Sequence, residues 1–313
     1  MSSQASREVF PHLPVLYNEI INAIHPASPG YYVDGTVGAG GHAWGILDAS
    51  RPAGKLLGLD VDPLALALAA QRLSGFGERV TLVASSYTMM DQQLTRLKWP
   101  KVQGILLDLG VSSMQFDTPQ RGFSFQADGP LDMRFDPANP IIAATLVNNL
   151  SEGELADLIW RYGDEPLSRK IAQAVIRSRP LNSTLELAEV IARSVGSRRG
   201  KIHPATRTFQ ALRIAVNQEL QALEAALPRA LETLAPGGRL AVIAFHSLED
   251  RLVKQSFRRE SQDCICPPDQ PVCTCGHRAS IRLVYRHVVQ PTEAEIYQNP
   301  RARSARLRVI EKL

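Results

Sequence analysis

The chain has 313 residues, 44% hydrophobic and 21% charged, with 35 Lys and Arg against 31 Asp and Glu for a net charge of +4. That describes a globular chain with core enough for one large or two ordinary domains, and it excludes a disordered chain and, with 4 cysteines, a disulfide scaffold. No apolar stretch nears the ~18 residues of a membrane span and the first residues lack the apolar core of a signal peptide, so a cytoplasmic protein is expected.

From residue 31 the chain alternates strand and helix signals. Tyr31-Tyr32-Val33-Asp34 runs into a glycine-rich turn, and Lys55-Leu56-Leu57-Gly58-Leu59-Asp60 is a second apolar run. Asp62 followed by Pro63 reads as a helix start. Residues 79–84 give a third strand and 104–108 a fourth. Continuous apolar runs of this length suit strands buried on both faces, and their alternation with helices predicts a parallel, doubly wound sheet.

Residues 114–222 change character. Ser151 with Glu154, and Ser183 with Glu186, form capping boxes ahead of apolar residues at helical spacing. A longer helix is predicted to carry Phe209, Leu212, Val216, Leu220 and Leu223. After a turn at Ala235-Pro236-Gly237-Gly238, strands are predicted over 239–245, 280–289 and 305–310. The architecture is therefore an α/β domain in two parts, 1–113 and 223–313, interrupted by an all-helical insertion at 114–222.

The stretch Asp34-Gly35-Thr36-Val37-Gly38-Ala39-Gly40-Gly41-His42 follows the first strand and opens a helix. Glycines let backbone turn tightly and approach a ligand, and Asp60, at the end of the next strand, can accept hydrogen bonds from ribose hydroxyls. Together they point to an adenosine-containing cofactor at the carboxyl ends of the strands. A nicotinamide dinucleotide satisfies the same loop, although no Tyr-x-x-x-Lys pair of the short-chain dehydrogenase type occurs. Tyr87, after the third strand, is placed either to flank an adenine ring or to pack.

Further motifs narrow the reading. They are HLPVL at 12–16, DGTVGAGGH at 34–42, LDLGVSS at 107–113, RGFSF at 121–125, DGPLDMR at 128–134, HPATRTFQ at 203–210, FHSLEDR at 245–251 and NPRARS at 299–304. In these the chain resembles the S-adenosylmethionine-dependent 16S ribosomal RNA cytosine-N4 methyltransferases, the RsmH or MraW family. The resemblance implies a Rossmann-like class I methyltransferase sheet with a helical insertion. It implies S-adenosyl-L-methionine as cofactor, and as substrate a P-site cytosine of 16S rRNA in the small subunit. Carried over by motif, Gly40, Gly41 and His42 face the methionine end, Gly38 belongs to the same cofactor-binding loop, Asp60 holds the ribose, and Tyr87, Asp108 and Gln115 complete the pocket.

A sulfonium methyl is already activated, so its transfer needs alignment rather than a strong base or metal. The cytosine amine is the difficulty, because its lone pair is delocalised into the ring. Asp108, ending the fourth strand, is the first candidate to accept from that amine; contact with the cofactor alone is the alternative. General amino-methyltransferases place an Asp or Asn followed by two prolines and an aromatic residue there. This chain instead continues Leu109-Gly110-Val111-Ser112. His246 and Ser247 also fall near the crevice by topology, where a structural turn accounts for them. Phe123 and Phe125 either stack on an extruded base or anchor the insertion.

Between Val190 and Gln218 there is no Asp or Glu, while Arg193, Arg198, Arg199, Lys201, Arg207 and Arg213 all occur. Thr206, Gln210, Arg213 and Asn217 share one helical face, so Arg207, Arg213 and Asn217 are predicted to contact RNA. Arg301, Arg303, Arg306 and Arg308 form a second basic cluster, for which a solvated strand face is the alternative. Cys264-x-Cys266 and Cys273-x-Cys275, with Pro267, Pro268 and Pro271 between them and His277 after, suit either a structural zinc or a reduced, proline-stiffened loop. The other functional readings are a non-catalytic RNA-binding ribosome assembly factor and a nicotinamide-dependent oxidoreductase. The chain is expected to be a monomer or homodimer.

Overall fold

In a computed structural model describing residues 14–196, 203–267, 269–270 and 272–313, seven strands form one sheet. They are β1 (Tyr31–Asp34), β2 (Lys55–Asp60), β3 (Val80–Ala84), β4 (Val102–Asp108), β5 (Leu234–Ala244), β6 (Ile281–Leu283) and β7 (Arg306–Lys312). Their order is β3-β2-β1-β4-β5-β7-β6. The first five strands run parallel, and β7 is antiparallel to both β5 and β6.

Helices α1 (Tyr17–Ile24), α2 (Gly41–Ala49), α3 (Pro63–Leu73) and α4 (Met90–Arg96) precede β4. Between β4 and β5 come α5 (Ser113–Asp117), α6 (Ala143–Asn149), α7 (Glu152–Gly163), α8 (Ser168–Arg177), α9 (Thr184–Val195), α10 (Thr206–Asn217) and α11 (Glu219–Thr233). Helices α12 (Ser247–Glu260) and α13 (Glu293–Gln298) follow β5. The chain divides into two compact units, 1–110 with 222–313, and 111–221. The helical unit begins at Val111, which packs on that unit's own core.

In the α/β unit the strand residues alternate between two cores. Val33, Leu57, Leu59, Ile105, Leu107, Leu240 and Val242 face one side, where they meet Met90, Leu227 and Phe257. Tyr32, Leu56, Leu106, Ala241 and Ile243 face the other, against Ile20, Ile46 and Leu73. Both faces are covered, which is why these strands read as unbroken apolar runs. Asp62 caps α3 by accepting from the Leu64 amide at 3.0 Å, with Pro63 in the first turn.

The helical unit has a separate core built from residues such as Leu155, Ile159, Ile171, Val175, Leu187, Ile191, Phe209 and Leu212. Ser151 with Glu154 and Ser183 with Glu186 form complete capping boxes that start α7 and α9.

Three expectations are corrected. The single helix drawn through Phe209 and Leu223 is two, because Gln218 adopts a left-handed conformation (φ 50°) that closes α10 before α11 begins. The strand expected over 280–289 is only Ile281–Leu283; the chain leaves the ladder after Val284 and returns for a single bridge from Val289 to Leu307. Residues 235–238 turn inside β5 rather than before it: the register with β4 shifts between Val102 opposite Leu234 and Gly104 opposite Arg239, and Gly237 has φ 76°.

Candidate cofactor and acceptor site

Adjacent strands β2, β1 and β4 end on Asp60, Asp34 and Asp108. In a parallel sheet this brings three carboxylates to one edge of the crevice where such folds bind ligands. The glycine loop between β1 and α2 lies against them. Asp60 Oδ2 accepts from the Gly38 amide at 2.9 Å and its Oδ1 from the Asp62 amide at 2.9 Å. The acidic strand end therefore fixes the loop's shape, with the Val61 amide as a further donor to the same carboxylate.

Gly38 and Gly40 have φ of 50° and 79°, which only glycine adopts without strain. A Cβ at Gly38 would meet nothing nearer than the Thr36 carbonyl at 3.9 Å, so its outer side is open. A Cβ at Gly41 would come within 2.4 Å of Pro14, and one at Gly35 within 2.9 Å of the Tyr87 Cβ. Tyr87 is thus held beside the loop, half-buried on the sheet core.

Asp34 is buried, its Oδ1 accepting from the Thr36 amide at 3.2 Å, while Thr36 Oγ1 accepts from the Asp108 amide at 2.7 Å. Burial, with the Asp60 charge adding to it against the Thr36 hydrogen bond, pushes the Asp34 carboxyl up to about 7. Burial and then the charges of Asp34 and Glu249 push Asp108 up to about 8. Asp108 Oδ1 is shielded from solvent and has no hydrogen-bond partner among the described residues. Its Oδ2 lies 3.6 Å from His42 Nε2. Burial, then the charge of Arg72, hold His42 down at about 3, so its imidazole is neutral and this contact is not an ion pair. The Tyr17 ring stacks on His42 at 6.2 Å between centroids.

His246 and Ser247 form the turn that starts α12. The His246 ring accepts from the Glu249 amide at 3.4 Å, and Glu249 Oε2 from the Phe245 amide at 2.8 Å. Asp34, Thr36 and Glu249 belong to this end of the sheet but were not singled out in the sequence. Each lies inside a stretch that carried the resemblance, and Asp34 at the end of β1 was the legible one.

In the helical unit, Gln115 is buried and completes a capping box with Ser112, whose amide donates to Gln115 Oε1 at 3.1 Å. Phe123 is buried and stacks on Phe135 at 5.5 Å, so its ring is a core residue rather than a free platform. Phe125 packs against His203 at 4.6 Å and Phe209 at 4.8 Å.

The polar face of α10 turns inward. Arg213 pairs with both oxygens of Glu219 at 2.8 Å. Gln210 donates to the Tyr162 carbonyl at 3.0 Å. Asn217 accepts from the Phe135 amide at 2.7 Å and donates to the Met133 carbonyl at 2.7 Å. Arg213 and Asn217 therefore hold the insertion together, contrary to the phosphate contacts expected of them. Arg207 remains 42% exposed, near Glu165 at 3.7 Å. Arg198, Arg199 and Lys201, like His12 and Leu13, lie outside the described residues. In the second basic cluster, Arg308 and Arg306 pair with Asp250, Arg308 Nε at 2.7 Å from Oδ1.

Near the surface, Cys264, Cys266, Cys273 and Cys275 place their sulfurs within 4.8 Å of one another.

The strand order, the antiparallel seventh strand and the glycine loop beneath Asp60 define a Rossmann-like S-adenosylmethionine-dependent methyltransferase fold. The chain belongs to the MraW methylase family, whose description matches residues 9–313. It is 53% identical over 304 residues to the ribosomal RNA small subunit methyltransferase H of Dehalococcoides mccartyi strain 195, covering 97% of this chain and 87% of that one. The enzyme of the same description from Thermomicrobium roseum is 51% identical over 305 residues, covering 96% and 94%. A solved rRNA methylase from Streptococcus thermophilus aligns at 13% identity over 95% of this chain and 93% of its own, with a TM-score of 0.41. The family sets aside the nicotinamide-dependent oxidoreductase that the glycine loop alone permitted. Among the described residues no helix is long and apolar enough to cross a membrane.

Proposed function

We propose that this protein transfers a methyl group from S-adenosyl-L-methionine to the exocyclic N4 of a P-site cytosine in 16S rRNA of the small ribosomal subunit, in the cytoplasm. The observation that carries the reading is the carboxylate edge at Asp34, Asp60 and Asp108, with the Asp108 Oδ1 buried and without a partner. Strongly perturbed carboxyls gathered in a crevice mark a functional site. A cationic ligand bound beside them would favour their ionised forms.

The residues fit the cofactor. The open side of Gly38 leaves room for close backbone approach, and Asp60 stands at the strand end where an acidic side chain accepts from ribose. S-adenosylmethionine, when bound, supplies an activated methyl on a sulfonium. Gly38, Gly40, Gly41 and the neutral His42 bound its methionine end with Tyr87 beside the loop, and Gln115 is the insertion's candidate contact to the cofactor. Asp108 accepts a hydrogen bond from the cytosine amine, orienting it and localising its lone pair toward the methyl group. The target base leaves its stack to reach that point. Arg207 and Phe125 are the insertion's candidate RNA contacts. The transfer calls on no metal, so a zinc ion at Cys264, Cys266, Cys273 and Cys275 would be structural.

The test is methyl transfer from radiolabelled S-adenosylmethionine to small subunits that lack their native modification, with nucleoside analysis of the product. N4-methylated cytidine is expected. Binding of both cofactor and RNA without incorporation would favour the assembly-factor reading.

A further inference from the structure

The segment between α12 and β6 has no buried residue among those described from 261 to 280. Ile265 is 37% exposed and Val272 69%. A stretch with nothing apolar to bury lacks the usual means of meeting the entropy cost of order. Yet four side chains from its two ends converge. Cys264 Sγ lies 3.4 Å from Cys273 Sγ and 3.9 Å from Cys275 Sγ, and the latter two are 3.6 Å apart. All four sulfurs fall within 4.8 Å of one another.

Zinc binds thiolates at about 2.3 Å in a tetrahedron, which sets sulfur-to-sulfur edges of about 3.8 Å. The observed separations bracket that edge. They are well beyond the ~2.05 Å of a disulfide bond. The surrounding backbone also suits a ligated thiolate. The Ile265 and His277 amides both donate to Cys275 Sγ at 3.5 Å. His277 Nε2 is not among the converging donors but lies 3.0 Å from the Arg259 carbonyl at the end of α12. Four sulfurs with no oxygen ligand favour a thiophilic, tetrahedral ion.

We infer that Cys264, Cys266, Cys273 and Cys275 form a four-thiolate zinc centre that folds the 261–280 hairpin, a local metal-dependent fold independent of methyl transfer. Binding replaces four S–H bonds by four Zn–S bonds and releases four protons to solvent, leaving a centre of net charge −2. The metal takes the place of the missing core, as in other small metal-folded segments. The sheet has its own cores and does not need it.

The test uses the full chain expressed with zinc. Elemental analysis should give one zinc per chain, falling at least tenfold in the Cys264→Ser/Cys275→Ser double variant. Cobalt exchanged into the wild type should give an intense thiolate charge-transfer band with tetrahedral d–d bands. Chelation should expose all four thiols to a thiol reagent and open the hairpin to limited proteolysis, while melting of the sheet stays unchanged. Zinc retained equally by the double variant, iron in its place, no thiolate band with cobalt, or a mass four hydrogens lighter from two disulfides would each overturn the inference. None of these readouts uses methyl transfer, so a failed assay of activity leaves them intact.

Discussion

The helical insertion and the crevice edge of the α/β unit treat their carboxylates in opposite ways. In the helical insertion, carboxylates are answered: Asp132 by Arg134 at 2.8 Å, Glu219 by Arg213 at 2.8 Å, Glu165 by Arg207 at 3.7 Å. At the sheet's crevice edge, Asp34, Asp60 and Asp108 crowd the ends of neighbouring strands, where burial first, and then the charge of Asp60 on Asp34 and of Asp34 on Asp108, raises their affinity for protons. A region under pressure only to stay folded pairs its buried charges. A region that leaves like charges together at one end of a sheet has that end reserved for something else. The contrast separates candidate chemistry from scaffolding even where, as on α10, the sequence pattern invited the opposite assignment.

Substitutions can break or sharpen that contrast. The largest effect is expected at Asp108. Asp108→Ala should lower turnover about 10²–10³-fold, the scale for one lost transition-state hydrogen bond, while cofactor affinity measured by calorimetry moves less than fivefold. Equal losses in both would make Asp108 a cofactor ligand only. Because the ionised carboxylate is the acceptor, kcat/KM should rise with pH through a midpoint near 8 and level off above it. Stability should run the other way. The folded carboxyls of Asp34 and Asp108 titrate near 7 and 8 against 3.8 unfolded, so the folded state holds its protons longer. The melting temperature of the cofactor-free protein should therefore fall from about pH 4 to pH 8, and Asp108→Asn should flatten the upper part of that decline.

Next comes the insertion. Arg213→Ala leaves Glu219 buried without its guanidinium and should cost about 2–3 kcal/mol of stability. The salt dependence of RNA binding should keep its slope; a flatter slope, read by filter binding across salt concentrations, would restore Arg213 to the RNA surface. Asp60→Ala should weaken cofactor binding about tenfold, or about 1.4 kcal/mol, with turnover at saturating cofactor preserved. Gly38→Ala is the mildest. Nothing stands within 3.9 Å of the added methyl, so only the left-handed backbone resists it, at about 1 kcal/mol.

Much of the α/β unit was legible because strands buried on both faces leave an unmistakable trace. Tyr31–Asp34 and Lys55–Asp60 are uninterrupted runs that each end on an acid, and the glycines that follow Asp34 mark the loop. Asp60 was identifiable for the same reason. The partners of Arg213 were not. Glu219 lies just beyond the acid-free stretch, and only the left-handed turn at Gln218 brings it back onto the guanidinium. That turn is invisible to periodicity because Leu220 and Leu223 continue the apolar spacing across it. Phe123 posed the same difficulty, since an aromatic residue after a strand reads alike whether it meets a base or Phe135. The early end of β6 at Leu283 comes opposite Ile310, in the middle of β7, and no local pattern encodes it.

The pairing of β4 with β5 carries a consequence for how the chain assembles. Ile105 lies beside Leu240 although the whole insertion separates them in sequence. As the chain leaves the ribosome, β1 to β4 emerge first with one edge of β4 unsatisfied. The helical unit, which has a core of its own, can condense while β5 is still being made. Its folding draws the two ends of a long loop together before β5 must find β4, and so reduces the closure entropy of that search. The insertion would act in this way as a built-in splint, and its destabilisation should slow completion of the sheet more than it weakens the finished one.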